Sequence, residues 1–153
     1  MAQTSNQVIP GTLENPSPRI QILSISDSIL RATASPDHVL EVRMPLFSKA
    51  RPRLTRFGKA YMPQAYKDSQ AEMRRQLASQ WTNEPLTGPM ALYLRAYGEG
   101  RGDTDNIAGA IMDAANGILW TDDRVSIIST LVVEWVKASK ADSRWIIQIA
   151  ELT

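Results

Sequence analysis

Four aspartates carry the chemistry most readily read from this chain. Asp103 and Asp105 follow the glycine-rich stretch Gly98-Glu99-Gly100-Arg101-Gly102, and Asp122 and Asp123 form an adjacent pair further on. Carboxylates gathered at one corner either raise each other's pKa or bind a hard divalent ion such as Mg²⁺, because their charges repel unless a cation stands between them. On a polyphosphate partner such an ion can generate the attacking hydroxide and stabilise the leaving oxygen. The same residues also have an architectural reading, in which Asp103 or Asp105 caps a helix and Asp122-Asp123 makes a turn, and spacing alone leaves both open. A calcium loop starting at Asp103 fails, since its third ligand position is Ile107, its turn glycine is Ala108 and its closing acid is Ala114. A phosphate-binding loop fails as well, because no Lys-Ser or Lys-Thr follows the glycines.

A second group of residues has the opposite sign. Arg43, Lys49, Arg51, Arg53, Arg56 and Lys59 face the lone acid Glu41 between Leu40 and Ala60, while Gly98 to Asp123 holds six acids against Arg101. The net charge of +1 is thus the sum of two unlike segments. Phe57 and Tyr61 interleave with the cations, a pattern suited to holding phosphates and stacking on exposed bases, although a solvated basic loop would look the same. With no Cys and a single His, His38, the chain has no disulfide scaffold, no thiolate nucleophile and no multi-His metal site, so any metal is held by oxygen.

The elements that must position these groups follow from periodicity. At 153 residues, 43% of them hydrophobic, the chain has the size and composition of one globular domain. Residues 1–35 read as a flexible N-terminal arm, polar and proline-bearing, with a short strand possible over Arg19 to Ile25; residues 36–153 read as the folded domain. Val39 to Met44 reads as a strand, and Leu46 to Met62 as a loop or irregular ribbon. A helix starts at Pro63 and carries Tyr66, Met73 and Leu77 on its apolar side. Met90 to Tyr97 alternates as a strand with one buried face, and a second helix runs from about Asn106 to Ala115. Val125 to Val136 and Trp145 to Ile149, around a polar turn, read as a hairpin. The expected class is α+β, with a mixed, mainly antiparallel sheet and two principal helices. On the second helix Asp105, Gly109 and Asp113 are spaced by four and share one stripe. His38 reads as a surface or capping residue, and Trp120, next to the acids, as the tryptophan with the best access to a ligand. With neither a signal peptide nor a membrane-spanning stretch in the sequence, a soluble, cytoplasmic protein is expected.

Arg51-Pro52-Arg53, Phe57 to Pro63, Gly102-Asp103-Thr104-Asp105-Asn106, Asp113-Ala114-Ala115-Asn116-Gly117 and Trp120-Thr121-Asp122-Asp123-Arg124 together resemble the RusA family of Holliday-junction resolvases, over roughly Val39 to Leu152. The resemblance implies a homodimeric, Mg²⁺- or Mn²⁺-dependent endonuclease of prokaryotic or phage origin, cutting four-way DNA junctions by paired symmetric nicks. It implies metal-binding, catalytic acids at Asp103, Asp105 and Asp123, and supporting roles for Asp113, Asp122 and Asn106. DNA contacts are expected from Lys49, Arg51, Arg53, Arg56, Lys59, Arg101 and Arg124. The departure is Gly109, where family members typically carry a Lys implicated in catalysis. The alternative is therefore a catalytically impaired junction-binding protein of the same fold. Arg101 and Arg124 flank the acids and could supply a charge from another direction, though the sequence places neither, and Gly109→Lys is expected to raise cleavage.

Overall fold

The computed structural model describes residues 26–152. Its first element is α1 (Asp27–Ala34), opened by Ser26, whose hydroxyl accepts from the Ile29 amide at 3.3 Å. These residues fall in the segment read as a flexible arm, and there the sequence reading is corrected: α1 lies on the sheet with Ala32 fully buried, and Gln148 Nε2 donates to the Ala32 carbonyl at 2.8 Å. The strand suggested over Arg19 to Ile25 lies outside the described residues.

The main sheet has the order β1-β6-β4-β5. Its strands are β1 (His38–Arg43), β4 (Met90–Gly98), β5 (Ile128–Lys137) and β6 (Arg144–Glu151), and a small ribbon pairs β2 (Arg53–Leu54) with β3 (Ala60–Tyr61). Only the β4/β5 pair is parallel. The fold is α+β, a single compact body with a mixed, mainly antiparallel sheet and, among the described residues, three α-helices.

The expected β5/β6 hairpin does not form, because β4 lies between the two strands. The burial patterns give the reason. β6 is closed on both faces through Ile147, Gln148, Ile149 and Ala150, so it needs a neighbour on each side, whereas β5, past the buried Ile128 at its start, is half-buried or exposed throughout and tolerates an edge. The connecting turn instead crosses the end of β4, where the Ala138 amide donates to the Gly98 carbonyl at 3.0 Å. β4 is also closed on both faces, not one: α1 covers Ala91 and Tyr93, and the main core covers Leu92, Leu94 and Ala96.

Two further helices cover the main core, α2 (Gln64–Gln80) through Met73 and Leu77 and α3 (Thr104–Ala115) through Ile107, Ile111, Ala114 and Ala115. α2 also closes the open edge of β1. Gln76 exchanges hydrogen bonds with the amide and carbonyl of Arg43 at 3.0 and 2.9 Å, and Gln80 does so with Glu41 at 3.3 and 2.7 Å. The match is geometric: four helical residues rise about 6 Å, close to the ~6.8 Å spanned by two strand residues.

Candidate active site

The acids are placed by the end of β4 and the two ends of α3. Beyond Gly98 the chain turns through Gly100 and Gly102, with φ of +76° and +92°, into Asp103, the residue that precedes α3. The Asp103 carboxylate makes no capping hydrogen bond and accepts only a 3.4 Å contact from Asn106 Nδ2. Asp105 sits in the first turn, and both aspartates are exposed. The capping interpretation therefore does not describe the Asp103 side chain, and both carboxylates face solvent at the positive end of a helix.

α3 ends at Asn116, and the returning loop is pinned by Trp120. This tryptophan is fully buried, and its indole N–H donates to Asn116 Oδ1 at 2.9 Å and to the Met112 carbonyl at 3.3 Å. Trp120 is thus an anchor of the loop and is closed to a ligand. Past it, Asp122 and Asp123 diverge in role. Asp122 pairs with Arg124 at 2.7 Å and accepts the Asp123 amide at 2.8 Å, and these bonds, the Arg124 one foremost, hold its carboxyl below the usual range. Asp122 behaves as the turn residue of the architectural reading. The Asp123 carboxylate takes no hydrogen bond among the described residues.

The second acid on the stripe, Asp113, is bound by a cation that arrives from elsewhere in the chain. Lys49 Nζ lies 2.9 Å from Asp113 Oδ2, and the Lys49 amide donates to the Asn106 carbonyl at 2.8 Å. Residues 46–49 form a strap laid along the site, and the glycines admit it: a Cβ at Gly98 would stand 2.6 Å from Leu46 Cγ, and one at Gly102 2.2 Å from Ser48 Oγ. At Gly109 a Cβ would lie 3.2 Å from Lys49 Cδ. The Lys49 stem thus rests in the space that a side chain at 109 would enter. The ion pair with Asp113, aided by the more distant Asp123, raises the Lys49 pKa and keeps the ammonium charged. Tyr66 completes this corner. Burial first, and then Asp113, push its phenol up. Periodicity assigns Tyr66 to the apolar face of a helix, and only its nearness to Asp113 and Lys49, a tertiary fact, marks it otherwise.

Beyond the strap the chain enters the β2/β3 ribbon. Arg51, Arg53, Arg56 and Lys59 are all exposed there, with no ion pair among the described residues. The Arg56 guanidinium stands 4.8 Å over the Phe57 ring, which is 83% exposed and so open to stacking. Arg101 is exposed in the glycine-rich loop, whereas Arg124 is taken by Asp122. His38, far along the chain from these groups, pairs with Glu151 at 2.9 Å and packs on Trp81.

As a donor set, exposed carboxylates with no thiolate or imidazole among them suit a hard divalent ion in kind. Among the described residues no three acids yet stand together as a formed metal cluster. No helix is long and apolar enough to cross a membrane among the described residues. A search of individual curated proteins returns no match. The family model of endodeoxyribonuclease RusA matches residues 44–150. That match runs from two residues before the strap to the last buried residue of β6 and includes the glycine-rich loop, α3 and the Asp122-Asp123 turn, well over half of the chain. The chain belongs to the RusA endodeoxyribonuclease family.

Proposed function

We propose that the protein resolves four-way DNA junctions by paired, symmetric nicks, acting as a cytoplasmic homodimer of prokaryotic or phage origin with Mg²⁺ or Mn²⁺. One observation carries the reading: the exposed carboxylates of Asp103 and Asp105 at the N-terminus of α3, in no ion pair among the described residues, lie beside a strap that continues into an exposed ribbon whose cations are likewise without ion pairs there. Asp103, Asp105 and Asp123 would hold the ion. When bound, it supplies an activated water and charge neutralisation at the phosphate. Asp113 takes no part as a ligand while Lys49 holds it, and Asp122 serves the turn. Arg51, Arg53, Arg56 and Lys59 bind backbone phosphates, and Phe57 offers a ring to an unstacked base at the junction. A two-fold dimer presents two equivalent sites to the two equivalent strands of a junction.

The second reading, a junction-binding chain that does not cut, draws on the absence of a formed acidic cluster among the described residues. The two separate on the unaltered chain, which nicks a four-way junction in Mg²⁺ or Mn²⁺ on the first reading and binds it without nicks on the second; the variants Asp103→Asn, Asp105→Asn and Asp123→Asn then test the acids. Loss of nicking in each, with junction affinity kept, supports the nuclease. Nicks that persist in all three would remove these acids from the chemistry.

A further inference from the structure

We infer that Lys49 is a catalytic residue, whose ammonium contacts the scissile phosphate from the notch over Gly109; the inference rests on the nuclease reading above. Three observations converge on it. The Lys49 stem fills the space above Gly109, with Cδ 3.2 Å from where a Cβ would be, so the ammonium is delivered onto the stripe shared by Asp105, Gly109 and Asp113. Its aim is fixed at both ends, by the Lys49 amide on the Asn106 carbonyl at 2.8 Å and by Nζ on Asp113 at 2.9 Å. An ammonium has three N–H donors, and Asp113 takes one, while 48% of the side chain remains open to solvent. At least one N–H is therefore free to meet a phosphate oxygen held at the acids.

Rigidity distinguishes this cation from its neighbours. Arg51, Arg53, Arg56 and Lys59 lie exposed on the ribbon with no ion pair among the described residues to aim them, which suits affinity. Lys49 is positioned before substrate arrives, which suits stabilising charge that develops during the reaction. Arg124 is engaged by Asp122 and is poorly placed to take that part. The Lys49 end of the pair is half-exposed, which limits what the contact adds to stability, so the Lys49–Asp113 contact is better accounted for as a holder of the ammonium than as a staple of the fold.

The test uses the full-length chain and a labelled four-way junction with Mg²⁺, measuring the single-turnover nicking rate at saturating protein alongside the junction Kd. Lys49→Met keeps the stem over Gly109 and removes the charge, with Lys49→Gln as the second variant should the first melt early. The expected result is a rate lower by on the order of a hundredfold, as for removal of one preorganised electrostatic interaction, with Kd changed by less than about threefold. Relocating the charge in Lys49→Ala/Gly109→Lys, where the shortened residue 49 vacates the space over Gly109, should recover at least about tenfold over Lys49→Ala. Gly109→Lys alone, expected from the sequence to raise cleavage, should bring no gain here, since two ammoniums would then compete for Asp113. A weaker Kd with an unchanged saturated rate overturns the inference and leaves Lys49 as one more phosphate-binding cation. A slowed rate that the relocated lysine does not rescue also overturns it, because the effect would then come from the strap. If the unaltered chain nicks normally and Lys49→Met matches it, only this inference falls; a chain that nicks nothing overturns the nuclease reading too.

Discussion

Asp122 and Asp123 are neighbours in sequence and opposites in state. One is held by Arg124 and a backbone amide; the carboxylate of the other takes no hydrogen bond among the described residues. Because its carboxyl is held below its ordinary value, Asp122 adds stability at pH values above the unfolded pKa, and this contribution is lost as pH falls through the lower folded value. Asp122→Asn should therefore weaken the fold at neutral pH and narrow its difference from the unaltered protein on acidification below about pH 4, which thermal melts across a pH series would show. In nicking assays the order reverses, with Asp123→Asn the more damaging. At this scale the sequence displays the carboxylates but not their partners. Asp103, Asp105 and the basic residues are legible because spacing and charge are written in the chain. The role of Lys49 is not, because its link to Gly109 and Asp113 spans about sixty residues and depends on a strap with no period of its own. Proximity in sequence points to Arg101 and Arg124 as the substituting cations, whereas the one that stands over Gly109 comes from the basic loop.

The elements legible in the sequence are those whose periodicity agrees with their packing. α2, α3, β1 and β4 fall within a few residues of the expected spans. α1 escapes such a reading because eight residues are too few to be helical alone; it is held by Ala32 and Gln148 against a sheet that the sequence does not place beneath it. The same omission explains why periodicity assigns β4 one open face. The β5/β6 hairpin follows from proximity along the chain, and it gives way to the requirement that the strand buried on both faces sit inside the sheet. The clasp of α2 on β1 yields an element-scale prediction. Replacing Gln76 and Gln80 together by Ala unsatisfies the edge of β1 and should cost about 1 kcal/mol per glutamine in urea unfolding, with little effect on junction affinity. The β2/β3 ribbon yields another. Neutralising Arg51, Arg53 and Arg56 should lower the slope of log Kobs against log salt by about 0.9 for each phosphate on the duplex arms that no longer meets a cation. A slope that does not move would return the ribbon to solvent.

For the whole molecule, the proposed division of labour is between a body that carries the acids and a basic segment that meets DNA. The end of β4 and the two ends of α3 carry Asp103, Asp105 and the loop to Asp123, and the strap lays Lys49 on α3 at Asn106, Gly109 and Asp113 before the chain enters the ribbon that bears the arginines. Paired nicking requires two such bodies, so sedimentation should show a dimer at micromolar concentration; a strict monomer would contradict the symmetric mechanism. The central claim is tested most directly by incubating the purified chain with a labelled four-way junction and a linear duplex in Mg²⁺, Mn²⁺ or EDTA. The predicted result is symmetric nicks on the junction alone, present with either metal and absent with EDTA. Tight binding to the junction without nicks in any metal would contradict it.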